Sequence, residues 1–175
     1  MKHQDYSLSE DDIKKCLPGI NVITYPEFAD IDDVDEVLDN QQRCIVLFLT
    51  EDEYTGHWCA LFKNDNEEIC WFDSYAIKPD YEKKWLSKNK LIQLKQYPDY
   101  LTKLLKHENK QGYRVTFNPY KLQAMKEGVN TCGKHCVSRL LYKDMDIKNY
   151  VKMIKKTGKT PDEFVTDLVF KLIKK

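Results

Sequence analysis

A chain of 175 residues with 28 basic and 28 acidic side chains has no net charge, so no global field would draw it onto nucleic acid or an anionic membrane. Hydrophobic residues make up 42% and charged ones 32%, too apolar for a disordered chain. No apolar run reaches the ~20 residues that a membrane-crossing helix needs, so no membrane partner is expected. A length that buries roughly 70% of the unfolded surface predicts one domain over residues 1–175.

In chain order, Ser9-Glu10-Asp11-Asp12-Ile13 is a helix start, a serine cap followed by acids in the first turn, and Pro18-Gly19 is its stop. A short helix is predicted over Asp32 to Leu38. The strands come next: a continuous apolar run from Arg43 to Thr50, then His57 to Lys63, then Glu68 to Asp73. The turn residues Asn64 to Glu67 make the last two an antiparallel hairpin. Leu101, Leu104 and Leu105 mark one face of a helix over Pro98 to His107, and Tyr113, Val115 and Phe117 alternate as a further strand. Three helices close the chain, over Thr131 to Lys143, Asp146 to Lys156 and Thr160 to Ile173. The last carries a full start signature, Thr160 as cap, Pro161 at the first helical position and Glu163 closing a capping box. Strands between helices predict an α+β domain with a central mixed or antiparallel sheet flanked by helices. Lys152, Lys155, Lys156, Lys159, Lys171, Lys174 and Lys175 give the closing helices a basic outer face, read as solvated surface.

Six cysteines lie in apolar stretches rather than in a short disulfide frame, which predicts free thiols and a reducing compartment. One of them differs in position. Cys132 opens a helix whose apolar side is Cys136, Val137, Leu140 and Leu141, and the free N–H groups and positive dipole end there favour a thiolate. Gly133 beside it leaves room for a substrate backbone. A thiolate nucleophile needs a base, and His57, in Gly56-His57-Trp58 at a strand start, is the candidate. Asp73 ends the partner strand, so the hairpin should bring it across the ladder to orient the histidine. Gln123, on the loop before Cys132, offers an amide to an oxyanion alongside the Cys132 N–H.

The order His57, Asp73, Gln123, Cys132 resembles the clan of cysteine proteases that holds the adenovirus protease, adenain, and the proteases of ubiquitin-like modifiers such as SUMO. The resemblance rests on Gly-His-Trp at 56 to 58, Phe-Asp-Ser-Tyr at 72 to 75, Gln123, and Asn-Thr-Cys-Gly at 130 to 133, and covers about residues 43 to 143. It is closest to the adenain-like maturation proteases of virophages and related DNA viruses. It implies a papain-like fold, a thiol endopeptidase cutting after small residues such as a glycine pair, and Trp58 as a roof of the cleft. It also implies capsid or other virion precursors as substrates, in the host cytoplasm, the viral factory or the virion. No cofactor is implied, and activation by a peptide or nucleic acid stays open. Two departures stand out: Ala76 replaces the family's glycine, which should shift the acid loop, and Cys132 lies nine positions after Gln123, more than the family's usual spacing.

Blander readings stand beside these. His57 could be a structural histidine and Asp73 a turn residue. Cys132, His135 and Cys136 could bind a metal, but no fourth ligand is near in sequence and the spacing is not that of a zinc knuckle, so no metal is expected. Nothing adjacent would orient His135 as an alternative base. Cys16, Cys44, Cys59, Cys70, Cys136 and Trp71 read as core. The alternatives to an endopeptidase are an isopeptidase removing ubiquitin or SUMO, and a non-catalytic binding or metal-bound module.

Overall fold

The computed structural model describes residues 3–175. Its centre is a five-stranded mixed sheet in the order β1-β2-β3-β4-β5, formed by Asn21–Thr24, Arg43–Leu49, Gly56–Lys63, Ile69–Phe72 and Val115–Phe117. The middle three strands run antiparallel, and β1 and β5 join the two edges in parallel with β2 and β4. Side chains alternate across each strand, and both faces are covered, which is why β2 and β3 read as unbroken apolar runs.

One face carries Ile45, Leu47, Trp58, Ala60, Phe62 and Phe72 and packs against α1 (Glu10–Cys16), α4 (Cys132–Leu141), α5 (Ile147–Lys156) and α6 (Pro161–Ile173). The other carries Val46, Phe48, Cys59, Leu61 and Trp71 and packs against α3 (Tyr100–Lys110) and the 3-10 turn Tyr25–Asp30. Two helical layers thus enclose an α+β sheet.

The capping signals hold in detail. Ser9 and Asp12 form a capping box at α1, and Thr160 and Glu163 form one at α6. The predicted helix at 32 to 38 contracts to a 3-10 turn, Val34–Glu36. Strand β1, the 3-10 turn Tyr81–Trp85 and the short α2 (Lys88–Gln93) have no counterpart among the predicted elements.

The start of β3 is tightly constrained. A Cβ on Gly56 would stand 1.9 Å from the Phe48 carbonyl oxygen, so glycine is required there by the close approach of β2 and β3, not as a flexible joint.

Candidate active site

His57 sits one residue into β3, its side chain buried, and Nε2 lies 2.8 Å from Asp73 Oδ2. The pairing is diagonal rather than directly across the ladder. The register pairs Ala60 with Phe72, so Asp73 continues opposite Cys59 and reaches two residues back to the imidazole. Cys59 is therefore more than a core thiol: its Sγ donates to the same Asp73 Oδ2 at 3.4 Å. The other carboxylate oxygen accepts from the Tyr75 N–H at 2.7 Å, and the Asp73 carbonyl accepts from Asn118 Nδ2 at 2.8 Å. Asp73 is at once turn residue and histidine partner.

With Nε2 taken by Asp73, the imidazole keeps Nδ1 for Cys132, the first residue of α4. Burial opposes a thiolate there, but the hydrogen bond and charge of His57, with the backbone N–H groups of Trp58 and Gly133, outweigh it and hold the thiol below its ordinary value. Burial likewise works against charge on His57, and the bonds to Asp73 and Cys132 reverse that and raise it. The two shifts have opposite sign, Cys132 down and His57 up, which is the direction a thiolate–imidazolium pair requires. Tyr75 stacks its ring face on the imidazole at 5.2 Å, which favours a cation, and Trp85 packs at a T-shaped angle 5.4 Å away.

Cys132, His57, Gln123, Tyr75 and Trp85 line a cavity of about 270 Å³, together with Ser7 and the exposed Met125. Gln123 is pinned to the acid loop: its N–H donates to the Ser74 carbonyl at 3.0 Å and its Oε1 accepts from the Ser74 hydroxyl at 2.7 Å. Its Nε2 has one long contact, 3.4 Å to the Val129 carbonyl, at the cavity's margin.

Trp58 and Gly133 have packing partners of their own. Trp58 is not among the residues lining this cavity: alternation turns it to the other face of β3 from His57, into the cluster that also holds Cys132, where its Nε1 donates to the Leu8 carbonyl at 3.1 Å. It borders a neighbouring groove with Leu8, Glu10 and Tyr54. The Cβ direction of Gly133 is filled: a Cβ there would come within 3.1 Å of the Trp58 ring and 3.2 Å of Leu8. Its small size seats α4 on β3.

Ala76 keeps the backbone its position demands, at φ 61, so the loop conformation favoured by glycine is retained at the cost of strain. Sequence reasoning missed Tyr75, Trp85 and Cys59 as neighbours of the histidine. It also missed Lys134, fully buried on α4, which donates to the His3 and Tyr6 carbonyls at 2.6 Å each and so ties down the segment that brings Ser7 to the cavity. Charge two residues from the cysteine was the only available signal.

His57 Nε2, Cys59 Sγ and Asp73 Oδ2 lie within 4.8 Å of one another, donors of a kind that could hold a metal ion. The Cys132–His135–Cys136 group does not share that geometry, since His135 turns to Asp162, 2.9 Å away.

No protein-family model matches the chain. It is 33% identical over 169 residues to "Uncharacterized protein V9" of Sputnik virophage, an alignment spanning 94% of each. Among solved structures it aligns with the central domain of the uncharacterized Lpg1148 protein from Legionella pneumophila, at 12% identity and a TM-score of 0.44, over 97% of this chain and 99% of that one.

Proposed function

The chain belongs to the family of protein V9 of Sputnik virophage, and we propose that it is a cysteine endopeptidase with a papain-like fold of the adenain type. One observation carries the reading: a buried imidazole held between a carboxylate at 2.8 Å and a cysteine at a helix start, with the thiol shifted down and the imidazole shifted up.

The chemistry runs as follows. The Cys132 thiolate attacks a peptide carbonyl and forms a C–S bond, and the oxygen's new charge is met by the Cys132 N–H and Gln123 Nε2. The C–N bond then breaks, and the amine leaves with the proton that His57 donates. Water, deprotonated by His57, hydrolyses the thioester and returns the thiol. Asp73 keeps Nε2 occupied throughout, so that Nδ1 faces the sulfur.

The adenain likeness supports small residues before the cut and a virion precursor as substrate, in the viral factory or the virion. The test has two arms. Iodoacetamide at neutral pH should label Cys132 at least about tenfold faster than the other five cysteines, and Cys132→Ala should abolish cleavage of capsid precursors carrying Gly-Gly sites. Equal labelling of all six thiols, or cleavage surviving Cys132→Ala, sinks the proposal. Cleavage confined to ubiquitin-like conjugates would replace it with the isopeptidase reading.

A further inference from the structure

A second carboxylate holds the cavity's other wall. Asp162, buried in the first turn of α6, accepts from three directions: the Thr131 hydroxyl at 2.6 Å and His135 Nε2 at 2.9 Å on Oδ1, and the Ala124 N–H at 2.9 Å on Oδ2. Ala124 follows Gln123, and Thr131 precedes Cys132. One side chain therefore clamps both ends of the long loop between the two residues that line the cavity, while the loop's middle, with Met125, is exposed.

The clamp also governs the helix start. Thr131 stands at the N-cap of α4, where a threonine hydroxyl ordinarily accepts from an N–H of the first turn. Here the hydroxyl donates to Asp162 instead, and α4 has no side-chain cap. The first amides of α4 stay open towards the sulfur. Burial alone would push the Asp162 carboxyl up, but the bonds from His135, Thr131 and Ala124 outweigh it, so it stays a carboxylate through neutral pH.

We propose that Asp162 is a positioning residue for oxyanion stabilisation, setting the distance between Gln123 and the Cys132 N–H and keeping Thr131 from capping α4. This rests on the cysteine-hydrolase reading and adds to it the element that lets a nine-residue spacing work. Without Asp162, the Ala124 N–H loses its side-chain partner and Gln123 is left to its bonds with Ser74, while Thr131 is free to turn onto the helix amides. The sulfur and His57 are held by β3 and α4 and keep their pairing.

Two reactions of the same thiolate separate these effects. Iodoacetamide is attacked at its methylene carbon, a C–S bond forming as iodide leaves, and no oxyanion develops. p-Nitrophenyl acetate is attacked at its carbonyl, passes through an oxyanion and releases p-nitrophenolate as the S-acetyl group forms. In full-length protein, Asp162→Ala should slow acetylation of Cys132 by roughly 10²-fold, with alkylation changed by less than about threefold. Asp162→Asn keeps an acceptor for Thr131 and His135 but turns an amide towards the Ala124 N–H, so its acetylation should fall in between; it also serves as the test variant where alanine proves too unstable to fold. Parallel loss of both reactions, or loss of neither, overturns the proposal. A wild-type protein that alkylates at Cys132 but is never acetylated there overturns the hydrolase reading, and this one with it.

Discussion

Two buried histidine–aspartate pairs meet at α4, one packed against its first residue and one built on its own His135, and they differ in their second neighbour and in the Lys134 charge that bears on His135. His57 meets Asp73 at 2.8 Å and His135 meets Asp162 at 2.9 Å, each through Nε2. On its other side His57 has the Cys132 thiol, whereas His135 Nδ1 has no hydrogen-bond partner among the described residues. Burial lowers His135 despite Asp162, since a protonated ring would hold an uncompensated N–H in a dry core. His57 goes the opposite way because a proton moved from the sulfur creates a pair of charges rather than one. A histidine–carboxylate pair alone is therefore not a mark of catalysis; the group on the far nitrogen decides.

Substituting each histidine is the largest test of that distinction. His57→Gln should cut cleavage by about 10⁴-fold and return Cys132 alkylation at neutral pH to that of an ordinary buried thiol. His135→Gln leaves an amide able to donate to Asp162, so alkylation should stay near wild type and cleavage within about tenfold. Equal losses at both positions would erase the distinction. The pH profile gives its sign independently. Cleavage should rise as Cys132 ionises, below the ~8.5 of a free thiol, and should fall again as pH approaches about 10, where His57 loses the proton it must donate. A profile that starts to rise only near the free-thiol value would mean that no ion pair forms.

A smaller effect separates the two pairs by their supports. Gly56→Ala pushes a methyl against the Phe48 carbonyl and forces β2 and β3 apart beside His57, while His135 and Asp162 sit on helices remote from that contact in sequence. The cost should be about 1–3 kcal/mol, with a melting temperature lower by several degrees and slower Cys132 alkylation. Wild-type stability and reactivity in Gly56→Ala would mean that the strand contact yields cheaply.

What the sequence disclosed follows the same division. The hairpin, the helix start at Cys132 and the cap at Thr160 are local patterns, written within a few residues, and each appears where the periodicity and turn residues put it. His57 and Asp73 are brought together by that hairpin, though by a diagonal contact, because register depends on where the ladder ends rather than on how the chain is spaced. Trp58 faces away from His57, as alternation requires, but alternation alone does not say which face of the sheet borders the cavity. Nothing adjacent in sequence marks Asp162 as the partner of His135, since the two lie 27 positions apart. Strand β1 is four residues long and only half-buried, too short for an alternation to declare itself.

The smallest effect concerns Ala76, at the end of the loop that carries Asp73. At φ 61 an alanine bears a left-handed strain of roughly 1–2 kcal/mol, which glycine escapes. Glycine loses more freedom on folding, by roughly 0.5–1 kcal/mol, so the net gain from Ala76→Gly should be about 0.5 kcal/mol, a rise in melting temperature of about 1–3 °C. Alkylation of Cys132 should not change, because the Asp73 carboxylate is held by the Tyr75 N–H and the Cys59 thiol, and the N–H that residue 76 donates to the Asp73 carbonyl is one that glycine keeps. The helical setting of His135 and Asp162 offers no comparable gain. A lower melting temperature in Ala76→Gly would show that the alanine methyl makes contacts worth more than the strain it causes, and a changed alkylation rate would show that the acid loop is tuned through its backbone.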